Sequence, residues 1–212
     1  MASRRSSVAV AATLLALVLS GCGSGDAEND AAAVTVSSPD PLPAHADAGH
    51  RRLDQLVGEW SVHKETYVAG GTADKPLVSD GMVSRWRWIA KTGNNFLQEE
   101  VGGDHGGTPY YRMGLLGYSP TDDRFEWSTV DSVTPMTMSY KGIPKSGGSG
   151  DISMLGEFTD PGVLGPEFVG RTIPMRTRIR LESKDRTVLE ISFIPPGRPE
   201  RVVDRVILTR RK

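Results

Sequence analysis

The chain has 212 residues, with 24 glycines, 14 prolines, 38% hydrophobic side chains and a formal net charge of −1, which leaves room for one domain with a sizeable core. Collagen-like, coiled-coil and wholly disordered architectures fit that composition poorly. A single cysteine excludes an intramolecular disulfide framework, a thiol redox pair and every multi-cysteine zinc site.

Near the amino terminus, Arg4 and Arg5 precede an apolar run from Val8 to Leu19 broken only by Thr13, the pattern of an export signal. The run is too short to favour a spanning helix, which needs roughly 20 apolar residues. It closes on Leu19-Ser20-Gly21-Cys22, which resembles the bacterial lipobox. That resemblance implies a signal peptide over residues 1–21, cleavage before Cys22, and lipid on the Cys22 thiol. General secretion is the expected route, since Ser6-Ser7-Val8 departs from the twin-arginine pattern that Ser3-Arg4-Arg5 would open. Residues 22–48 are dominated by Gly, Ala, Ser, Asp and Pro, with Ser38-Pro39-Asp40-Pro41-Leu42-Pro43 at their centre. Such a stretch buries too little apolar area to offset its ordering entropy and reads as a disordered tether. The expected location is therefore the cell envelope, with the body lipid-anchored at the exported face of a bacterial membrane.

Residues 49–212 are expected to form one folded domain. Asp47 is placed to cap a short helix running to Val57, with Leu53, Leu56 and Val57 on its apolar side. Beyond it, short alternating segments separated by turn residues predict strands. In chain order these cover 60–68, 82–90, 95–101, 110–118, 124–131, 134–141, 151–159, 171–183, 188–194 and 201–210, with the glycines of 102–107 read as a loop. No helical pattern separates them, so the fold class is all-β: an antiparallel up-and-down barrel of about ten strands with a short N-terminal helix. Closure removes sheet edges, and a barrel of this size is either filled by side chains or holds one small ligand.

Gly58-Glu59-Trp60, entering the first strand after a helix, resembles the G-x-W signature of lipocalins and other calycins. In that superfamily a floor tryptophan packs beneath an arginine of the last strand. The resemblance assigns Trp60 and Arg205 or Arg210, with Arg210 preferred, to barrel closure. The body is also similar to a bacterial family of calycin-like proteins catalogued only as a domain of unknown function. That likeness rests on Leu56-Val57-Gly58-Glu59-Trp60, Gly114-Leu115-Leu116-Gly117-Tyr118-Ser119-Pro120, Phe125-Glu126-Trp127-Ser128-Thr129-Val130-Asp131, Leu155-Gly156-Glu157-Phe158 and Ile207-Leu208-Thr209-Arg210-Arg211. It implies a fold and no activity. Some ten-stranded calycins bind haem through a histidine near the carboxyl end, but no histidine follows His105, so no cofactor is expected.

His63 and His105 are the only histidines well inside the body, short of the three convergent ligands a metal site needs, so no metal is expected. Glu99, Glu100, Glu126 and Asp131 are the acidic candidates for chemistry. Glu126 and Asp131 at the barrel mouth would carry an enzymatic reading, although Asp131 better suits a strand-end residue bonding the turn to Thr134. A stronger signal is the set Trp86, Trp88, Met113, Trp127, Met136, Met138, Met154 and Met175, all read as strand residues suited to line an apolar cavity or pack a core. Residues 171–212 carry a net +7 and 22–170 a net −10. Arg176, Arg178 and Arg180 are expected to point outward, and an exported acidic chain is not expected to bind nucleic acid. Three functions remain open: a barrel binding a small apolar or amphipathic ligand, a structural or partner-binding lipoprotein with a filled core, and an enzyme with carboxylates at the mouth.

The Cys22→Ser variant is expected to lose its lipid and leave the membrane fraction, read by cell fractionation and by the mass of the mature chain. A free thiol on Cys22 of the mature wild-type protein would contradict the lipobox reading.

Overall fold

A computed structural model describes residues 47–212; the signal peptide, Cys22 and almost all of the expected tether lie outside the described residues. Helix α1 (Ala48–Asp54) is capped by Asp47, whose carboxylate accepts the backbone N–H of His50 at 2.9 Å. It stops three residues before the expected Val57, and a looser turn carries the chain through Leu56.

Ten strands follow: β1 (Gly58–Thr66), β2 (Leu77–Trp88), β3 (Phe96–His105), β4 (Thr108–Ser119), β5 (Arg124–Asp131), β6 (Met138–Gly142), β7 (Ile152–Thr159), β8 (Thr172–Ser183), β9 (Arg186–Phe193) and β10 (Arg201–Arg210). Each pairs antiparallel with its neighbours in chain order, and β1 pairs with β10 from Trp60↔Arg210 to Thr66↔Asp204, closing the barrel. This is the expected antiparallel up-and-down barrel of ten strands with a short N-terminal helix. Period-two alternation explains the walls: in β8, Ile173, Met175, Thr177 and Ile179 face the core while Arg176, Arg178 and Arg180 face outward.

Three strand boundaries differ from the sequence reading by four or five residues, each for a local reason, and the other strand boundaries by two or fewer. β2 begins at Leu77 rather than Met82, because a bulge at Gly81 shifts the register between Val62 and Lys64 and interrupts the alternation. β3 runs on to His105, and only Gly106-Gly107, both at positive φ, form the turn; the two-residue hairpin demands that backbone, whereas Gly102 and Gly103 lie inside the strand. β6 begins at Met138 rather than Thr134, because the Asp131 carboxylate accepts the N–H groups of Val133 and Thr134 and folds that segment into a turn.

The floor is closed by side chains rather than by a strand. Leu53, Leu56 and Trp60 are fully buried, and the Trp60 indole donates to the Leu56 carbonyl at 2.7 Å. Arg210 lies with its guanidinium carbon 4.1 Å from the Trp60 ring centre. It donates to the carbonyls of Val57 at 2.6 Å, Gln55 at 2.8 Å and Lys184 at 2.7 Å. Gly58 has φ +129°, and a Cβ there would stand 2.6 Å from Arg210 Nη1. The glycine of the G-x-W triplet therefore makes room for the arginine. Arg205 faces the outer wall instead, in a ladder joining Glu65 at 3.6 Å, Glu190 at 3.0 Å and, through Glu190, Arg180 at 2.9 Å. Burial alone would raise the Glu190 pKa, but hydrogen bonds from Arg180 and Arg205 hold it below its ordinary value. Among the described residues no helix is long and apolar enough to cross a membrane.

Arg210→Ala removes three charged hydrogen bonds to carbonyls and the cover over Trp60. It is expected to cost about 3 kcal/mol and to lower the thermal midpoint by on the order of 10 °C, measured by circular dichroism. Arg210→Lys should recover little of the loss, since an ammonium cannot span all three carbonyls. An unchanged midpoint in both variants would mean that apolar packing alone holds the floor.

Candidate functional site

The interior divides into a packed lower half and an open upper half. Below, Trp86, Trp88, Met154, Phe125 and Ile152 are buried in the core. Trp88 belongs to the floor, donating to Asp54 at 3.1 Å and lying 6.0 Å from the His50 ring. Trp86 packs 6.2 Å from Trp127. Above, a cavity of about 330 Å³ opens between the walls, within the size range of small-molecule sites. Its apolar side is formed by Trp127, Met136, Met138 and Met175 together with Phe158 and Phe193, the last two stacked at 4.4 Å.

Four of the eight residues expected to line a cavity therefore do so: Trp127, Met136, Met138 and Met175. Trp86, Trp88 and Met154 are core residues below it. Met113 lies on the outer wall, because Tyr110, Arg112, Gly114 and Leu116 take the inward positions of β4. It stands opposite Glu100 on one neighbouring strand and Val130 on the other.

The opposite side of the cavity is polar, and its residues went largely unread in the sequence. Arg112 points inward and donates from Nη2 to Glu99 at 2.7 Å, both side chains nine-tenths or more buried. The guanidinium carbon sits 5.4 Å from the Trp127 ring centre, and Arg112 Nε is buried without an acceptor. Burial pushes the Glu99 carboxyl above its ordinary value and would lower that of Arg112, whereas their contact at 2.7 Å favours the charged form of each and raises the arginine's pKa. Lys64 Nζ lies 3.4 Å from Asp204, which also accepts the Thr66 hydroxyl at 2.7 Å. His105 Nδ1 is 2.7 Å from the Ser79 hydroxyl. Its burial and the nearby Lys64 both lower its pKa, so it stays neutral at neutral pH. Burial pushes the phenols of Tyr110 and Tyr140 up, that of Tyr140 to about 12, so both keep their protons.

The sequence did carry a signal for the central pair. Glu99 shares parity with Leu97 and Val101, and Arg112 with Tyr110 and Leu116, so opposite charges fall on the inward faces of two adjacent strands.

The carboxylates proposed for chemistry are not brought together. Glu126 is on the outer wall, 3.0 Å from Arg124 and 3.4 Å from Lys141. Asp131 borders the cavity with its Oδ1 engaged by the turn. His63 is exposed beside Asp80 at 2.7 Å. Among the described residues no three His, Cys, Asp or Glu side chains converge as metal ligands would. A shallower depression of about 670 Å³ runs along the outer wall beside His50, Phe96 and Tyr118. It adjoins Asp47, where the described residues begin. Buried polar atoms without partners occur at both places: His50 Nε2 and Asn94 Oδ1 belong to residues bordering this depression, and Arg112 Nε and the Trp127 indole N–H to residues bordering the cavity.

Comparison with known proteins adds a family and a fold. A family model described as a protein of unknown function (DUF1579) matches residues 45–207. No curated protein matches the chain. Among solved structures, the S-type phycobiliprotein lyase CPES from Guillardia theta is similar, at 12% identity and a TM-score of 0.47, over 78% of this chain and 94% of that one.

Arg112→Met strands the Glu99 carboxylate in the barrel and is expected to cost about 3–5 kcal/mol in urea unfolding. Combining it with Glu99→Leu should recover most of that loss, since a buried pair is replaceable by apolar side chains. Equal losses in the single and double variants would mean that shape, and not charge, governs this wall.

Proposed function

The chain belongs to the DUF1579 family of unknown function, and from its own geometry we propose that it is a binding protein whose barrel takes up a small amphipathic molecule. The observation that carries this reading is the cavity of about 330 Å³ in the upper half of a barrel whose lower half is filled. Proteins pack their interiors densely and leave few voids larger than a water molecule. Here Met136, Met138 and Met175 border open space, and methionine adapts its shape to varied apolar surfaces. Opposite them stand Arg112, Lys64, Tyr110 and His105, able to orient a polar end.

Lipid on Cys22, supported by the Leu19-Ser20-Gly21-Cys22 motif after its apolar run, would hold this barrel at the exported face of a bacterial membrane. Amphipathic molecules concentrate at such a surface, and a tethered barrel meets them there at high effective concentration. Packed side chains without a guest would leave the barrel a structural or partner-binding module. No observation favours that alternative over the cavity.

The full chain carrying Cys22→Ser, purified from a bacterial host, is expected to show a noncovalent adduct in native mass spectrometry. Met138→Trp, which fills the cavity, should remove the adduct while the barrel stays folded by circular dichroism. Bare protein in both cases, together with no uptake of added apolar probes, would overturn the reading.

A further inference from the structure

We propose that the guest is an organic cation, a protonated amine on an apolar body, held by the free carboxylate oxygen of Asp131 at the barrel mouth. This rests on the binding reading above and names its ligand class.

Asp131 ends β5 on the same inward parity as Trp127 and Thr129, and all three border the cavity. Its Oδ1 accepts the N–H groups of Val133 and Thr134 at 2.8 and 2.7 Å, whereas Oδ2 has no hydrogen bond or ion pair among the described residues. The other charged side chains bordering the cavity each have an opposite charge beside them: Arg112 has Glu99 at 2.7 Å, and Lys64 and Asp204 lie 3.4 Å apart. His105 is neutral. Two cations thus stand against three carboxylates, Glu99, Asp204 and Asp131, a surplus of one negative charge. An anionic guest would add to that surplus and find no cation free to offset its desolvation.

The cation nearest Asp131 in the ladder turns away from it. Arg112 stands directly opposite Asp131, but Glu99, which accepts from its guanidinium, stands opposite Gly114, two residues nearer the floor. The guanidinium carbon also lies 5.4 Å from the ring centre of Trp127, four residues below Asp131 on β5. Asp131 Oδ2 is therefore left to a guest. A guest that fills the cavity strips water from this oxygen, and a carboxylate deprived of water needs both a donor and a positive charge. An ammonium group supplies both, in a charge-assisted hydrogen bond stronger than a neutral one. Its apolar body then lies against Met136, Met138, Met175, Phe158 and Phe193.

The test uses the full chain with Cys22→Ser and follows tryptophan fluorescence, since Trp127 borders the cavity. Decylammonium, decanol and decanoate, of equal carbon number, are titrated at neutral pH, where the amine is protonated. Decylammonium is expected to bind at least about tenfold more tightly than decanol, and decanoate more weakly than either. Asp131→Asn keeps the Oδ1 acceptor, and with it the turn to Thr134, and removes the charge. It should weaken decylammonium about tenfold and leave decanol unchanged. Thermal melts of the variant confirm the fold, and the wild-type ranking stands as a test without it. Decanol or decanoate binding as tightly as decylammonium would overturn the cation assignment while leaving the cavity as a binding site. Equal effects of Asp131→Asn on decylammonium and decanol would overturn the role of Asp131. Failure of all three probes to bind would overturn this inference and the binding reading together.

Discussion

Everything in this barrel depends on one arginine reaching across its floor. Arg210, the last residue of β10, stacks on Trp60 and takes three carbonyls, two from the turn after α1 and one from the β8–β9 turn. It thereby ties the first strand, the last strand, the helix exit and a distant hairpin into one knot. Leu53 and Leu56 seal the space beneath. With that end shut and densely packed, the interior space gathers at the other end, which is where the cavity lies.

The two ends of the interior also differ in how well their polar groups are met. At the floor, the Trp60 indole and the whole Arg210 fork find carbonyls. Higher up, Arg112 has one partner and an idle Nε, and the Trp127 indole N–H is buried without an acceptor. Burying an ion pair rarely adds stability over apolar packing, and leaving donors idle subtracts from it. Stability therefore gives no reason for Glu99 and Arg112 to occupy this wall.

How far the sequence could be read follows from where alternation is clean. All ten strands were legible, because turn residues and period two mark them, and the floor was legible because G-x-W and a basic last strand sit at the two ends of the body. In β4 the pattern is inverted: Arg112 and Gly114 face in, while Tyr111, Met113 and Leu115 face out. Reading apolar as inward therefore sent Met113 to the wrong side and hid Arg112. The Asp131 turn was anticipated from a strand-end aspartate, and the structure bears that out. Which methionines line open space and which fill the core was not legible, since Met154 and Met175 have the same chemistry and parity and differ only in height along the barrel.

The seam between β1 and β10 has a consequence for how the chain folds. Its partners, Trp60 with Arg210 through Thr66 with Asp204, are separated by nearly the whole body. All other ladders join neighbours in sequence and can zip locally, but this one pays a large loop-closure entropy before any contact rewards it. Ring closure is thus the late event. Until β10 arrives, the meander has two open edges that can pair with other chains. A protein cut short at its carboxyl end would therefore be more prone to aggregate than one cut elsewhere by the same length.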